Sequence, residues 1–277
     1  LAVCPEGMVS YWTFDNETVS GSTVQDVYGS NDGTIYGAGT GYSSPAAESF
    51  YFDGNNDYID IGMPSDLQIT GNISLVAWIK ANDQSNNNRV IGRDNSNKRS
   101  YHLTTHGDSG AAFLSKYKEN TLYRVDGTTD VVDTTWHHVV ATDNGQQQKI
   151  YVDGLLQNTG SSTPGIDNDS VNINIGRRSD DDLYFPGKID EVAIFNRALN
   201  ATEVEQLYNQ SSQGYDYCGT YKNTLPLSSK FTEFESTTNF SQVENLSAVE
   251  NLTLGSPHGT ISFGNNTVNA ENQDYNK

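Results

Sequence analysis

Short apolar runs broken by turn residues set the cadence of this chain. Residues 7–14, 34–36, 49–52, 58–61, 73–80 and 89–93 each read as a strand. So do residues 101–104, 111–114, 121–125, 135–143, 148–152 and 171–175. Gly, Asn and Asp separate them, with turn signals roughly every 8–12 residues. In 73–80, Ile73, Leu75, Ala77 and Ile79 take one face, and Ser74, Val76, Trp78 and Lys80 the other. Apolar residues on both faces put this strand in the middle of a packed sandwich. Such a cadence with one helical stretch specifies an all-β fold.

The helical stretch closes the pattern. Residues 188–195 are rich in Ile, Val and Phe and follow Pro186-Gly187, so they read as a buried strand. The period then changes, with Ala201, Val204, Leu207 and Tyr208 at helical spacing. Asn200 stands where an N-cap belongs, and Glu203 completes a capping box. Residues 210–214 break the helix after about two to three turns. Residues 15–32, 157–170 and 180–182 read as polar loops, and Asn144-Gly145 and Asp153-Gly154 as tight turns.

The run from Gly187 to Tyr208, GKIDEVAIFNRALNATEVEQLY, resembles the C-terminal signature of laminin G-like domains in the concanavalin A-like lectin/glucanase superfamily. Other landmarks follow in the same order. They are YWTFD at Tyr11, NDGT at Asn31, FDGNNDYI at Phe52, VAWI at Val76, WHHV at Trp136 and YVDG at Tyr151. The resemblance covers roughly residues 7–210. It implies a two-sheet antiparallel jelly-roll sandwich with one short C-terminal helix, and it assigns Trp136 and one of His137 and His138 to the core. Cys4 and Cys218 lie just outside the two ends of that domain, whose termini should sit side by side. This suggests a disulfide closing residues 1–218, against the alternative of two unrelated thiols. A disulfide implies an oxidising compartment.

From Gly219 the texture changes. NFSQVE, NLSAVE and NLTLGS begin at Asn239, Asn245 and Asn251, and residues 257–268 look like a strand or hairpin. Three hexads cannot bury a core alone. Residues 219–277 therefore read as a linker and the opening part of a further β-rich module.

Lys+Arg 16 against Asp+Glu 35 gives a formal charge of −19, which argues against nucleic acid and anionic membranes as partners. No run approaches the roughly 20 apolar residues that span a bilayer. The chain starts at Leu1 without Met and reads as what remains beside a signal or anchor upstream. Sequons at Asn16, Asn72, Asn168, Asn200, Asn209, Asn239, Asn245, Asn251 and Asn265 fit, as a set, a secreted or cell-surface glycoprotein.

The resemblance implies a Ca²⁺ site joining the first long loop to the last strand. It would use Asp26, Asn31, main-chain oxygens around Gly29 and Gly33, and Asp190, with Asp15 in reach. The bland reading is that Asp26 and Asn31 form turns and Asp190 caps a strand end. No D-x-D-x-D-G calcium loop is present. Asp180, Asp181 and Asp182 read as a solvated acidic loop. For a glycan, Asp94, Asn95, Tyr101, Tyr123, Arg124 and Tyr184 are the candidates that could stack on or hydrogen-bond a sugar, although exposed Tyr is ordinary in such sandwiches.

Catalysis finds little support. Glucanases of the superfamily place two carboxylates on one strand, whereas Asp190 and Glu191 are adjacent and should face opposite ways. Gly107-Asp108-Ser109-Gly110 reproduces the tetrapeptide around a trypsin-like nucleophile, but no upstream histidine loop accompanies it, so it reads as a hairpin turn. His102 and His106 sit among strands, which argues against a zinc pair. The expectation is a non-catalytic recognition or adhesion module for a glycan or cell-surface glycoprotein, beside neighbouring modules of a longer chain. The alternatives are a ligand-free spacer of a stalk or filament, and an accessory domain of an extracellular hydrolase.

Overall fold

The computed structural model describes residues 3–83, 86–222, 259–263 and 266–270. The chain divides into two units, Leu1–Thr224 and Leu225–Lys277. The first begins with β1 (Met8–Trp12), β2 (Val19–Ser20), β3 (Thr23–Val24), β4 (Gly33–Tyr36), β5 (Gly39–Ser43), β6 (Glu48–Asp53), β7 (Tyr58–Gly62) and β8 (Ile73–Ala81). It continues with β9 (Arg89–Asp94), β10 (Arg99–Thr105), β11 (Ala111–Lys118), β12 (Thr121–Asp130) and β13 (His137–Asp143). Then come β14 (Gln147–Val152), β15 (Leu155–Ser161), β16 (Ile173–Ile175), β17 (Pro186–Phe195) and the helix α1 (Ala201–Ser211).

One sheet has the order β15-β14-β13-β8-β17-β6-β5, with β1 also paired to β17. The other has the order β12-β11-β10-β9-β16-β7-β4-β3-β2. The pairings are antiparallel. The result is a jelly-roll sandwich. Leu75, Ala77 and Ile79 of β8 and Val139 and Ala141 of β13 share one buried cluster with Ile91, Leu103 and Leu114 of the opposite sheet.

The second face of β8 is buried as well. Val76 joins Tyr11, Val140, Phe195 and Tyr217 under Val204 and Leu207 of α1, which explains why this strand is apolar on both sides. Burying the two helix side chains stabilises by about 1.5–3 kcal/mol each. The capping box forms as the sequence indicates, Asn200 accepting from the Glu203 N–H and Glu203 from the Asn200 N–H. Arg197 holds the Glu203 carboxylate in a fork of 2.9 and 2.7 Å. The far end is tied by Trp78 Nε1 donating to Ser211 Oγ at 2.8 Å. Cys4 and Cys218 form a disulfide across 214 residues of sequence and pack against this same cluster.

Four strands escape the sequence reading. β2 and β3 form a small hairpin inside the stretch read as a loop, and β5 and β15 lie at the ends of the first sheet's order. β15 is mostly exposed along its length, so no alternation marks it. At the turn before it, Asp153 and Gly154 have φ of 50° and 78° and Val152 pairs with Leu155. That is the two-residue turn in which both positions take positive φ and glycine avoids a Cβ clash. Residues 107–110 turn β10 into β11, as a hairpin. His138 is fully buried and shares a 3.0 Å hydrogen bond with the Tyr217 hydroxyl, whereas Trp136 is only half-buried rather than core.

In the second unit, β18 (Gly259–Phe263) and β19 (Asn266–Ala270) form an antiparallel hairpin with Ile261 opposite Val268. The hexad repeat and the sequons at Asn239, Asn245, Asn251 and Asn265 lie outside the described residues. The sequon asparagines Asn16, Asn72, Asn168, Asn200 and Asn209 are exposed. No helix among the described residues is long and apolar enough to cross a membrane.

Candidate functional site

The proposed cation ligands separate into two groups. Asp26 builds its own loop. Its Oδ1 accepts the N–H groups of Tyr11 (2.9 Å), Tyr28 (3.1 Å) and Gly29 (2.8 Å), and its Oδ2 that of Asn31 (3.1 Å). Four donors use the acceptor capacity of a carboxylate. Asn31 is anchored through its amide nitrogen, which donates to Ser10 Oγ at 2.8 Å and Asp66 Oδ2 at 2.9 Å, while its main-chain oxygen accepts from Trp12 Nε1 at 3.0 Å. Gly29 and Gly33 are tightly packed, since an added Cβ would lie 2.5 Å from Val9 O in one case and from Ile59 Cγ2 in the other. The Asp26 carboxylate is thereby engaged in shaping its own turn.

Asp190 is different. It is 0 % exposed, and neither carboxylate oxygen has a well-aligned hydrogen bond among the described residues. Burial raises its pKa well above the usual range; the nearby Ser44 hydroxyl and Glu191 N–H oppose the rise, and the Asp15 and Glu48 charges add to it. The Ser44 hydroxyl also donates to Glu48 O at 3.1 Å. Asp15 Oδ2 is also buried without an aligned hydrogen bond, with the Lys222 ammonium 3.5 Å away. Glu191 turns to other partners, accepting the hydroxyl proton of buried Tyr11. An orphaned carboxylate beside a second one fits a hard cation. No three His, Cys, Asp or Glu side chains converge on one point among the described residues, so the remaining ligands would be main-chain oxygens or water.

The candidate glycan-binding residues are mostly occupied. Tyr101 is 0 % exposed, donates its hydroxyl to Leu67 O at 3.2 Å, and has its pKa raised by burial; it is a core residue. Asp94 is 1 % exposed. Burial would raise its pKa, but His102 and the Arg89 guanidinium, 2.8 Å away, hold it far below the carboxylate range. His102 is pushed down to about 4, first by burial and then by Arg89. Asn95 Oδ1 accepts from the N–H of Asn97 and Lys98 and shapes a turn. Arg124 pairs with Asp126 and lies 3.7 Å over the Phe113 ring, and Tyr123 is half-buried with Lys116 Nζ 5.8 Å from its ring centre.

The acidic loop is paired rather than merely solvated. Arg178 bridges Asp180 and Asp182, and Arg177 binds Asp181. Burial would raise Asp180, but Arg178 and the Ser96 N–H bring it down to about 2.

Tyr184 lines a depression on the rim. Three loops, β6–β7, β8–β9 and β16–β17, enclose a depression of about 220 Å³ lined by Asp53, Gly54, Asn55, Asp83, Asn86, Asn88, Asp182, Leu183, Tyr184 and Pro186. Main-chain bonds fasten the loops together, Asn82 N to Pro186 O at 3.0 Å and Arg89 N to Leu183 O at 3.0 Å. Asp53 Oδ1 accepts from Asn55 N (2.8 Å) and Asn56 N (3.2 Å). The slight burial of Asp53 favours its neutral form, but those donors outweigh it and keep it ionised. Gly54, at φ 79°, lies against Pro186 where a Cβ would come within 2.8 Å. The depression combines carboxylates, carboxamides and one aromatic ring, held by a rigid sandwich.

A laminin G family model, described as the Concanavalin A-like lectin/glucanases superfamily, matches residues 53–205. The chain belongs to this superfamily. Among its laminin G-type relatives is the Adhesion G-protein coupled receptor V1 of Danio rerio, 25% identical over 162 residues. That match covers 53% of this chain and 2% of the receptor. The binding domain of Paraclostridial Mosquitocidal Protein 1 shares the fold at a TM-score of 0.58 and 15% identity, over 78% of this chain and 55% of that one. Domain 4 of AbnA, a GH43 extracellular arabinanase from Geobacillus stearothermophilus, in complex with arabinotriose, gives 0.56 and 18%, over 73% and 98%. The binding domain of Botulinum Neurotoxin DC in complex with SialylT gives 0.56 and 14%, over 74% and 52%. At these identities the likeness to the solved structures is one of fold.

Proposed function

We propose that this laminin G-like chain is a non-catalytic recognition module working outside the cell or on its surface, and that its rim depression binds a glycan or the glycan of a glycoprotein. The observation that carries this reading is the three-loop depression, in which hydrogen-bonding carboxylates and carboxamides surround Tyr184. The solved relatives that are binding domains support the general class of activity, and the disulfide supports an oxidising setting. Ca²⁺ enters the reading as a structural ion at Asp190 and Asp15, away from the rim. Bound there, it would neutralise two buried carboxylates and hold β17 to the segment after β1.

A glycan-array assay on the full chain, in Ca²⁺ and in EDTA, tests this reading. Saturable binding that falls at least tenfold in Tyr184→Ala is the expected result. Binding to no glycan in either buffer would remove the glycan reading. Binding unaffected by Tyr184→Ala would place the site elsewhere on the sandwich.

A further inference from the structure

Tyr36 of β4 and Tyr58 of β7 face each other across the strand pair, with ring centres 4.5 Å apart and planes 9° from parallel. On Tyr58 lies a third layer, the Arg177 guanidinium, 3.3 Å from the ring centre. Arg177 is itself fixed, donating from Nε to Asn174 Oδ1 at 2.9 Å and pairing with Asp181. The stack therefore has a closed end and an open one. Arg177 is 8 % exposed, whereas Tyr36, which stacks one face on Tyr58, is still 45 % exposed.

Two of the three loops that wall the rim depression adjoin this stack, which strand β4 completes with Tyr36. Tyr58 begins β7 directly after the Asp53–Asn55 turn, and Arg177 and Asp181 belong to the loop that ends in Asp182, Leu183 and Tyr184. Chemistry limits what could span the two. The ionisable side chains lining the depression are Asp53, Asp83, Asp182 and Tyr184, with no Lys or Arg among them, and the chain carries a formal −19. Sulfated, sialylated and uronate sugars are repelled from such a surface. An uncharged sugar brings hydroxyl donors for the carboxylates and a face of C–H bonds for a tyrosine ring, whose face is the negative end of its quadrupole.

We propose that the site extends from the depression onto Tyr36, whose exposed ring stacks with a further ring of an uncharged oligosaccharide. This rests on the reading of the depression as a glycan site. A cross-strand tyrosine pair also stabilises a sheet with no ligand at all, so the test must separate stacking from stability.

The probes are a panel of uncharged di- to tetrasaccharides, their constituent monosaccharides, and sulfated or sialylated counterparts. They are titrated against the full chain and against Tyr36→Ala, Tyr36→Phe and Tyr184→Ala, with melting temperatures measured in parallel. If Tyr36→Ala does not fold, Tyr36→Leu replaces it, keeping an apolar contact on Tyr58 without a ring. The wild type should bind uncharged oligosaccharides more tightly than their monosaccharides. Tyr36→Ala should lose about tenfold on the oligosaccharide and nothing on the monosaccharide, and Tyr36→Phe should keep both. An unchanged oligosaccharide affinity in Tyr36→Ala, an equal loss on both probes, or preference for the charged sugars overturns the Tyr36 subsite while Tyr184→Ala still reports the depression. Loss in Tyr36→Ala with none in Tyr184→Ala overturns the depression instead. A wild type that binds no member of the panel overturns both.

Discussion

Lys116 of β11 and Asp143 at the end of β13 meet 3.1 Å apart inside the sandwich, and neither side chain is exposed. One belongs to each sheet, so the pair is a polar bolt through an apolar interior. Asp143 also accepts from Gly145 N at 2.7 Å and Ser162 Oγ at 2.6 Å, and Lys116 donates to Thr163 O. Removing one partner strands a buried charge. Lys116→Met or Asp143→Ala should cost about 3–5 kcal/mol in urea unfolding. Combining Lys116→Met with Asp143→Leu should recover part of that, because the stranded charge is gone. A double-mutant cycle with coupling near zero would refute the bolt.

Asp190 gives the opposite sign. Its pKa is raised in the fold by burial first and by Asp15 and Glu48 after that. A carboxylate of this kind favours the fold when protonated. Its contribution is complete below the unfolded value of about 3.9 and is lost as the pH rises through the folded pKa. In EDTA at neutral pH, Asp190→Asn should therefore melt higher than the wild type. Added Ca²⁺ should raise the wild-type melting temperature and leave Asp190→Asn unmoved. Equal responses of the two proteins to Ca²⁺ would place no cation at Asp190.

His137 sits between two carboxylates, its Nδ1 2.8 Å from Asp153 Oδ2 and its Nε2 3.1 Å from Asp133 Oδ1. The Asp153 hydrogen bond raises its pKa, burial opposes the rise, and Asp133 adds to it. A histidine raised in the fold stabilises fully below its unfolded value near 6.5, and that stabilisation disappears as the pH climbs through the folded value. Between about pH 6 and about pH 8 the wild type should lose more melting temperature than His137→Gln. Parallel melting curves for the two would count against the clasp.

The helix depends on its first turn. Asn200→Ala removes the cap on the Glu203 N–H, and a cost of about 1 kcal/mol is expected from chemical denaturation. Glu203→Gln keeps the box geometry but weakens the Arg197 fork, so it should cost less than Asn200→Ala. The reverse order would show that the ion pair, not the cap, secures α1.

Position parity accounts for much of what could be read directly. β8, β17 and α1 announced themselves because buried faces impose a period, and Cys4 and Cys218 flanked the closed unit as the family resemblance implied. Parity would also have corrected Tyr101, which is in phase with buried Leu103 on β10. β5 and β15 left no such trace, because an exposed edge strand needs no alternation. Asp26 and Asp190 look alike as letters. One accepts four N–H groups and the other makes no well-aligned hydrogen bond, a difference set by the folding of distant segments around them. The rim depression was invisible for the same reason, since its walls come from three separate stretches, represented by Asp53, Asn88 and Tyr184.

The Cys4–Cys218 bond also has a mechanical meaning. Tension that enters the chain ahead of Cys4 and leaves it after Cys218 passes through two sulfur atoms, and the 214-residue separation between them never bears the load. Fully extended, that stretch would release on the order of 700 Å of contour length. With the bond intact none of it can be drawn out, so the rim loops keep their shape while the strand of protein that carries them is pulled taut.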